Sequence, residues 1–214
     1  MQRRSTELEI LDRETPPREM MERVVGYLAF VNRWLGGSAA VERHFRGVDG
    51  PATVLDVAAG GGDILRSLAQ RHPNVRPIAL DLSAMMLSFA EGVPRVRGDA
   101  LRLPLADKSV DYVISTHFFH HLPDEAIVLV LREFDRVARR GIVVNDLLRR
   151  WRAYFWIRLF TLFANPIVQV DGPLSVRRGF TPGEIEALAR RAGLDWLRAR
   201  VHFGHRFTLA GVRP

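Results

Sequence analysis

Cysteine is absent from this sequence of 214 residues, and Lys108 is its only lysine. Without cysteine the chain has no disulfide, no thiol nucleophile and no thiolate metal ligand. It also lacks the run of about 20 apolar residues that a membrane-spanning helix needs. Arg158, Asn165 and Pro166 interrupt the nearest candidate, residues 153–170. The polar start, Met1 to Glu7, has no apolar segment typical of a signal peptide. We therefore expect a cytoplasmic protein with no membrane span.

Arginine supplies almost all of the positive charge, and the formal net charge is +7. In nucleic-acid-binding proteins, basic residues gather in one patch with aromatic residues between them. Here the arginines are spread along predicted helices, as at Arg132, Arg136, Arg139 and Arg190. Scattered charge of this kind is typical of solvated helix faces, so we expect no nucleic-acid partner.

Strand and helix patterns alternate from residue 51 onwards. Apolar strands are predicted at residues 53–57, 77–80, near 96, 112–115 and 142–144, with helices at 62–71, from 83 and at 124–138. Strands that are apolar on both faces and separated by helices indicate a parallel sheet covered on both sides. Residues 196–201 and 207–212, joined through Gly204, predict a closing antiparallel hairpin. The expected fold class is α/β, a Rossmann-like, doubly wound, mostly parallel seven-stranded sheet with helical cap elements.

Residues 1–50 are predicted to form a helical N-terminal cap in front of a main domain, residues 51–214. Thr15 is the expected N-cap of a helix that ends at Gly36, and Ser38 is the expected cap of a short second helix.

Residues 147–180 resemble an insertion into the main domain. An aromatic-rich helix is predicted from Trp151 to Phe163, followed by a loop that holds Pro166 and Pro173. Thr181, with proline after it and Glu184 three positions on, predicts a capped helix immediately after the insertion.

The sharpest motif is a strand that runs into a glycine-rich turn and then a helix, residues 54–63. Such a turn brings the backbone close to a ligand and directs amide donors at it. A phosphate-binding loop would need Gly-Lys-Ser/Thr where Gly61-Gly62-Asp63 stands, and a dinucleotide fingerprint would need glycine at Ala58 and Asp63. An adenosyl ligand without phosphate, carrying a sulfonium and an amino acid, suits this acid-bearing turn better.

These residues resemble the acidic first motif of the class I S-adenosylmethionine-dependent methyltransferases, of the small-molecule type grouped with quinone-biosynthesis methyltransferases. The motif residues are Asp56, Ala58, Gly60 and Gly62, with alanine at 58 where the family usually has glycine. The resemblance implies that Asp81, followed by Leu82, holds the ribose hydroxyls of the cofactor. It also implies that Asp99, followed by Ala100, faces the adenine. Together with Thr116, these acids and the glycine turn follow predicted strand ends, so one ligand could contact them all.

A proton must be removed when the methyl acceptor is a phenol or an activated carbon, and histidine is the usual base. His117, His120 and His121 follow the fourth strand, and Asp146 follows the fifth strand, so these are the candidate catalytic residues. The adjacent pair His120 and His121 also fits a structural role in the family, packing against or capping the next helix. No metal ion is required by these residues.

The acceptor pocket is expected between the helical cap and the insertion, where large flat side chains suit an aromatic or apolar molecule. Trp34, Tyr154, Phe155 and Arg177 are the predicted acceptor contacts, and Arg33 is predicted to close over the methionine end of the cofactor. Aromatic residues at helical spacing more often form a core or a homodimer face, so this alternative stays open.

The sequence thus predicts an enzyme of small-molecule biosynthesis. It transfers the methyl group of S-adenosylmethionine to oxygen or carbon of a small acceptor and releases S-adenosylhomocysteine. Two alternatives stay open at this point: a nucleic-acid or protein methyltransferase, and a non-catalytic adenosyl-binding protein.

Overall fold

The computed structural model describes residues 1 and 3–213. The strands are β1 (Ala52–Val57), β2 (Val75–Asp81), β3 (Arg95–Arg97), β4 (Val110–Thr116), β5 (Ala138–Leu147), β6 (Arg198–His202) and β7 (Arg206–Val212). The helices are α1 (Ile10–Arg13), α2 (Arg18–Trp34), α3 (Gly37–Glu42), α4 (Asp63–Arg71), α5 (Ala84–Phe89), α6 (Asp124–Val137), α7 (Trp151–Phe160), α8 (Pro166–Arg178) and α9 (Pro182–Arg191). Short 3₁₀ turns lie at Arg43–Phe45 and Phe119–His121. Among the described residues, no helix has both the length and the apolar character needed to cross a bilayer.

All seven strands form one sheet in the order β3-β2-β1-β4-β5-β7-β6. The strands from β3 to β5 pair in parallel, and the β6–β7 hairpin adds to the β5 edge antiparallel. The strand order reverses between β1 and β4, which is where open α/β sheets bind ligands. The predicted fold class is confirmed.

Two apolar layers cover the sheet, one on each face. On one face α6 and α9 pack through residues such as Leu131, Phe134 and Ile185. On the other face α3 and α4 pack through Val41 and Leu65. Helices on both faces bury most of β4, and residues 112–115 of this strand form an almost entirely apolar run.

The insertion differs from the prediction, because the expected loop after α7 is the helix α8. Asn165 and Pro166 mark the start of this helix: the Asn165 side chain accepts from the Val168 amide (3.0 Å) and Pro166 takes the first turn. The Asp171 carboxylate accepts the amides of Ile10 (2.8 Å) and Leu11 (3.3 Å), so it caps the N-terminal segment rather than forming a turn.

The N-terminal caps also differ from the prediction. Pro17, not Thr15, stands at the N-cap of α2, and Gly36, with φ 86°, caps α3 so that Ser38 lies inside the helix. Short side chains near a helix start can each serve as its cap, so the sequence alone does not choose among neighbours.

Candidate active site

A cavity of about 300 Å³ lies beyond the carboxyl ends of β1, β2 and β4. The glycine-rich turn forms its floor, α2 and α5 form its walls, and residues 11–16 cover it. The predicted site residues that it brings together are Asp56, Ala58, Gly60, Asp81, Thr116, His117 and His121.

The turn at the floor uses the left-handed backbone region three times. Ala58 (φ 60°), Gly60 (φ 51°) and Gly62 (φ 68°) all have positive φ, and Gly62 is the N-cap of α4. At Ala58 this conformation costs about 1 kcal/mol, because its Cβ approaches the following carbonyl oxygen. At Gly61 a Cβ would collide with Val25, so glycine there lets α2 pack over the turn.

Asp56, Asp63 and Asp81 are acidic residues that line the cavity at its floor and at the end of β2. The Asp81 carboxylate accepts the amides of Gly60 (3.0 Å) and Ser83 (2.9 Å), which ties the end of β2 to the turn. Asp63 accepts from Nδ2 of Asn32 (3.0 Å). Asp56 is buried, and burial together with the neighbouring charges of Asp63 and Asp81 raises its carboxyl pKa well above its usual range. A positively charged ligand would relieve this cluster of carboxylates.

Buried polar atoms without a partner border the same cavity. Among the described residues these include Oδ1 of Asp56, Oδ1 of Asn32 and Oγ1 of Thr116. An unpaired buried polar atom costs about 1 to 3 kcal/mol, which a bound ligand with matching polar groups would recover. These unpaired acceptors, with the Thr116 hydroxyl, therefore fit an adenosyl ligand with an amino-acid tail, which carries an ammonium and hydroxyl donors.

Five predicted cofactor residues do not line this cavity. Leu82 is exposed beyond Asp81, and Gly62 packs on Ala90. Asp99 is exposed and accepts the Leu101 amide (2.9 Å), while Ala100 is buried in the core. Arg33 lies over the ring of Trp34, and its neighbour Asn32 lines the cavity instead.

His117 lines the cavity and contacts Arg206, a residue that no sequence motif selects. Nη1 of Arg206 donates to Nε2 of His117 (3.2 Å). Burial, with Arg206 adjacent, lowers the pKa of His117 to about 3, so its ring is neutral at pH 7. Its lone pair is engaged with Arg206, which disfavours a role as general base.

His120 and Asp146 form a buried pair that does not line the cavity. Asp146 lies within β5 rather than after it, and its Oδ1 accepts from Nδ1 of His120 (2.7 Å) and from the Leu147 amide (2.7 Å). Burial raises the pKa of Asp146, but His120 and the Leu147 amide outweigh burial and hold it below its ordinary value. The pair fixes the strand end and the loop after β4, so its geometry supports a structural role.

His121 and Arg178 attach the N-terminal segment to the site. Nδ1 of His121 donates to Asp12 (2.7 Å), and the Arg178 guanidinium contacts both Asp12 and the carbonyl of His120. Glu9 lies beside these histidines, and burial raises its pKa to about 7. The segment that covers the cavity is thus held by the contacts of Asp12 with His121 and Arg178.

A second cavity of about 590 Å³ lies between α7, α8 and the turn from β6 to β7. Its lining is mostly apolar and includes Val31, Ala153, Trp156 and Phe160. Arg206 lines this cavity as well, and through His117 it reaches the first one.

Arg206 is fully buried, and burial lowers its pKa to about 10. Its Nε has no partner among the described residues. Space for the guanidinium depends on Gly37, because a Cβ there would lie 2.8 Å from Nη1 of Arg206 and closer still to Asn32.

The predicted acceptor residues lie outside the second cavity. Trp34 and Phe155 are exposed to solvent, Tyr154 packs against Trp151, and Arg177 pairs with Glu7 (2.9 Å). The helices that carry these residues, α2, α7 and α8, do line the cavity, but through different side chains. Leu35 does so from the loop after α2, beside the α2 residue Val31, and Trp156 and Phe160 do so on α7.

Comparison with known proteins identifies the family. A family model described as a methyltransferase domain matches residues 54–141, which include the glycine-rich turn, Asp81 and the whole of β4. The demethylmenaquinone methyltransferase of Thermotoga maritima is 29% identical over 164 residues, covering 68% of this chain and 71% of that protein. The malonyl-[acyl-carrier protein] O-methyltransferase of Methylococcus capsulatus is 38% identical over 160 residues, covering 67% of this chain and 57% of that protein. A structure of a SAM-dependent methyltransferase from Aquifex aeolicus superposes with TM-score 0.64 at 20% identity, covering 92% of this chain and 99% of that one. The chain belongs to the class I S-adenosylmethionine-dependent methyltransferases.

The predicted enzyme class, cofactor and resemblance to the quinone-biosynthesis type are confirmed for this methyltransferase. Neither alternative, a nucleic-acid or protein methyltransferase or a non-catalytic adenosyl-binding protein, is favoured by the relatives found. Sequence identity to the solved structure is only 20%, so the comparison with that structure supports the fold of the methyltransferase and nothing further.

Proposed function

We propose that this methyltransferase binds S-adenosylmethionine in the first cavity and a small, apolar, aromatic acceptor in the second, and methylates the acceptor at oxygen or carbon. One observation carries the proposal: the two cavities meet at the contact between His117 and Arg206. An acceptor group placed at this contact would lie next to the cofactor cavity. Acceptors of the quinone type, as named for the Thermotoga relative, fit the apolar lining.

On the cofactor side, Asp81 would bind the ribose hydroxyls, because its carboxylate lines the cavity and is held by two backbone amides. Asp56 and Asp63 would face the positively charged end of the cofactor, with Asn32 and Thr116 supplying further polar contacts. When bound, the cofactor supplies a methyl group on a sulfonium, a good leaving group. The chain's main task is then to align the acceptor and exclude water.

On the acceptor side, Arg206 would hold an oxygen that carries negative charge. A guanidinium in a water-poor site stabilises a developing oxyanion strongly, since no solvent must reorganise during the reaction. Neutral His117 would orient this guanidinium. Because His117 is engaged and Asp146 is saturated with donors, an acidic hydroxyl that is already ionised at neutral pH is the acceptor group that suits the site best.

A radiometric acceptor screen tests this function. The purified protein is incubated with methyl-labelled S-adenosylmethionine and pairs of hydroxynaphthoquinones or naphthols, each matched with an analogue that lacks the ionisable hydroxyl. We expect S-adenosylhomocysteine only with the ionisable member of a pair. Arg206→Met should lower the turnover about 100-fold, the usual effect of removing one oxyanion donor, with cofactor affinity retained. Arg200→Met, an exposed arginine on β6, is the matched control.

Equal transfer to both members of a pair would contradict the oxyanion role of Arg206. No transfer to any apolar aromatic compound, despite tight cofactor binding, would contradict the acceptor class. A cytoplasmic location and a homodimer stay predictions.

A further inference from the structure

The aromatic helix α7, with Leu162 and Phe163 just beyond its end, presents an apolar stripe to solvent. Trp151, Phe155, Leu159 and Leu162 recur at helical spacing, and Phe163 follows. Trp151 is 67% exposed and Phe163 is 98% exposed. We call these five residues the α7 face. Single apolar residues are common on protein surfaces, but a large contiguous apolar patch is rare and marks an interaction site.

The charge around the α7 face has one sign. From Leu147 to Val170 the sequence has no aspartate or glutamate and has several arginines. Arg150, Arg152 and Arg158 are exposed, and no described carboxylate lies within salt-bridge distance of them; the Arg158 guanidinium contacts the neutral hydroxyl and ring of Tyr154. This contrasts with exposed arginines elsewhere, such as Arg191, which pairs with Glu125. The positive charge of these three arginines is therefore available to an anionic partner.

We infer that the α7 face docks on the surface of an anionic phospholipid bilayer. Tryptophan, phenylalanine and leucine on one face of a helix, with arginine beside them, are typical of helices that lie in the membrane interface. The apolar side chains would enter the boundary between headgroups and acyl chains. The arginines would contact lipid phosphates, each contributing about fivefold to binding.

A second copy of the chain fits this face less well. A two-fold dimer places the same patch against itself, so the three arginines of each copy would meet those of the other with no carboxylate on the face to separate them. Like charges brought together in an interface oppose association. An anionic lipid surface provides the missing negative charge.

The opposite side of α7 extends the inference to the second cavity. Trp156 and Phe160 line that cavity, and Phe203, which is 80% exposed, lies at its margin. Docking through the α7 face would bring the cavity next to the bilayer, so that a membrane-dissolved acceptor could enter without crossing water. This last step rests on the acceptor class proposed above, whereas docking itself does not.

Vesicle co-sedimentation of the full chain tests the docking directly and needs no methyl transfer. The vesicles contain phosphatidylcholine alone or an equal mixture of phosphatidylcholine and phosphatidylglycerol. We expect binding to the mixed vesicles, a blue shift of tryptophan fluorescence on binding, and a marked loss of binding in high salt. The double variant Phe155→Gln/Phe163→Gln should lose the interaction, and Leu129→Gln, on the exposed side of α6, should retain it.

The charge contribution is tested separately. Arg152→Gln/Arg158→Gln should weaken partitioning by more than about tenfold, while Arg132→Gln/Arg190→Gln, with the same net charge change on other helices, should change it little. Absence of binding to mixed vesicles, or equal binding to neutral ones, would overturn the inference. So would a stable wild-type dimer in sedimentation velocity that Phe155→Gln/Phe163→Gln converts to monomer, since the α7 face would then be a protein interface. Vesicle binding without transfer to apolar acceptors would refute only the proposed acceptor.

Discussion

Replacing Asp81 with asparagine tests the cofactor site most directly. The Asp81 carboxylate accepts backbone amides from Gly60 (3.0 Å) and Ser83 (2.9 Å) and lines the first cavity. Asparagine has nearly the same shape, but it removes the charge and turns one acceptor oxygen into a donor. That donor must face either a backbone amide, which it repels, or the cavity, where it replaces a carboxylate oxygen.

The magnitude follows from the number of bonds at stake. A hydrogen bond that involves a charged group contributes about 1.5 to 3 kcal/mol, and every 1.4 kcal/mol is about tenfold in affinity. Loss of one such bond to a ribose hydroxyl predicts about 10- to 150-fold weaker binding. The Gly60 amide lies in the turn that forms the cavity floor and the Ser83 amide lies at the start of α5, so any distortion of either adds to this loss.

Isothermal titration of S-adenosylmethionine and S-adenosylhomocysteine measures the effect, with Asp99→Asn as the matched control. Asp99 is exposed and does not line the cavity, so this second change should leave affinity almost unchanged. Wild-type affinity in a folded Asp81→Asn protein would refute the placement of the cofactor. A large loss in Asp99→Asn instead would show that the adenine extends over β3, as the family resemblance implied.

Three further changes test neighbouring parts of the site. Asn32→Ala should weaken cofactor binding severalfold and Arg33→Ala should not, because only Asn32 lines the cavity; the reverse order in titration would restore the sequence-based assignment. Gly37→Ala should lower the free energy of unfolding by about 1 to 3 kcal/mol in urea titrations, because its Cβ overlaps Asn32 and crowds Arg206; an unchanged midpoint would show that α3 shifts freely. His117 is neutral in the folded state down to pH about 3, whereas the unfolded imidazole takes up a proton below about 6.5. Folding stability is therefore lost as pH falls through this window, by up to about 1.4 kcal/mol per pH unit. Asparagine tolerates the positive φ of 55°, so His117→Asn should fold. Between pH 7 and pH 5 this variant should lose less free energy of unfolding than the wild type; an equal loss in both proteins would contradict the burial of this ring.

The fold was predictable because its signals are local. The buried strands are apolar runs separated by helix patterns, and α9 carries a complete capping box at Thr181. Helix α8 was missed for the opposite reason. Its capping signals, Asn165 and Pro166, are the residue types that also form loops, and Pro173 lies within the helix. The amides of Ile10 and Leu11 also donate to Asp171 within this helix, and no local sequence pattern encodes such long-range hydrogen bonds.

The cofactor half of the site was predictable for a similar reason, since Gly60, Asp81 and Thr116 each follow a strand of a parallel sheet and must meet at one edge. The acceptor half was not. Helix α7 is apolar nearly all round, so its periodicity does not indicate which face points inward. The prediction selected Tyr154 and Phe155, whereas Trp156 and Phe160, one or more positions further on, line the cavity.

Arg206 provides the strongest contrast between stability and function. Its guanidinium is fully buried and its Nε is unpaired, although Asp146 lies near enough to favour its charge. Burying a cation without a hydrogen-bonded carboxylate is costly. Even complete buried ion pairs are often replaced by well-packed apolar residues with no loss of stability. We therefore expect Arg206→Met to raise the midpoint of urea unfolding while it lowers methyl transfer. If the variant is instead destabilised by several kcal/mol, Arg206 supports the fold around Gly37 and His117, and its proposed contact with the acceptor loses its basis. A protein that buries a cation with no hydrogen-bonded carboxylate next to its cofactor cavity, at a cost in stability, has most reason to do so when a substrate supplies the negative charge.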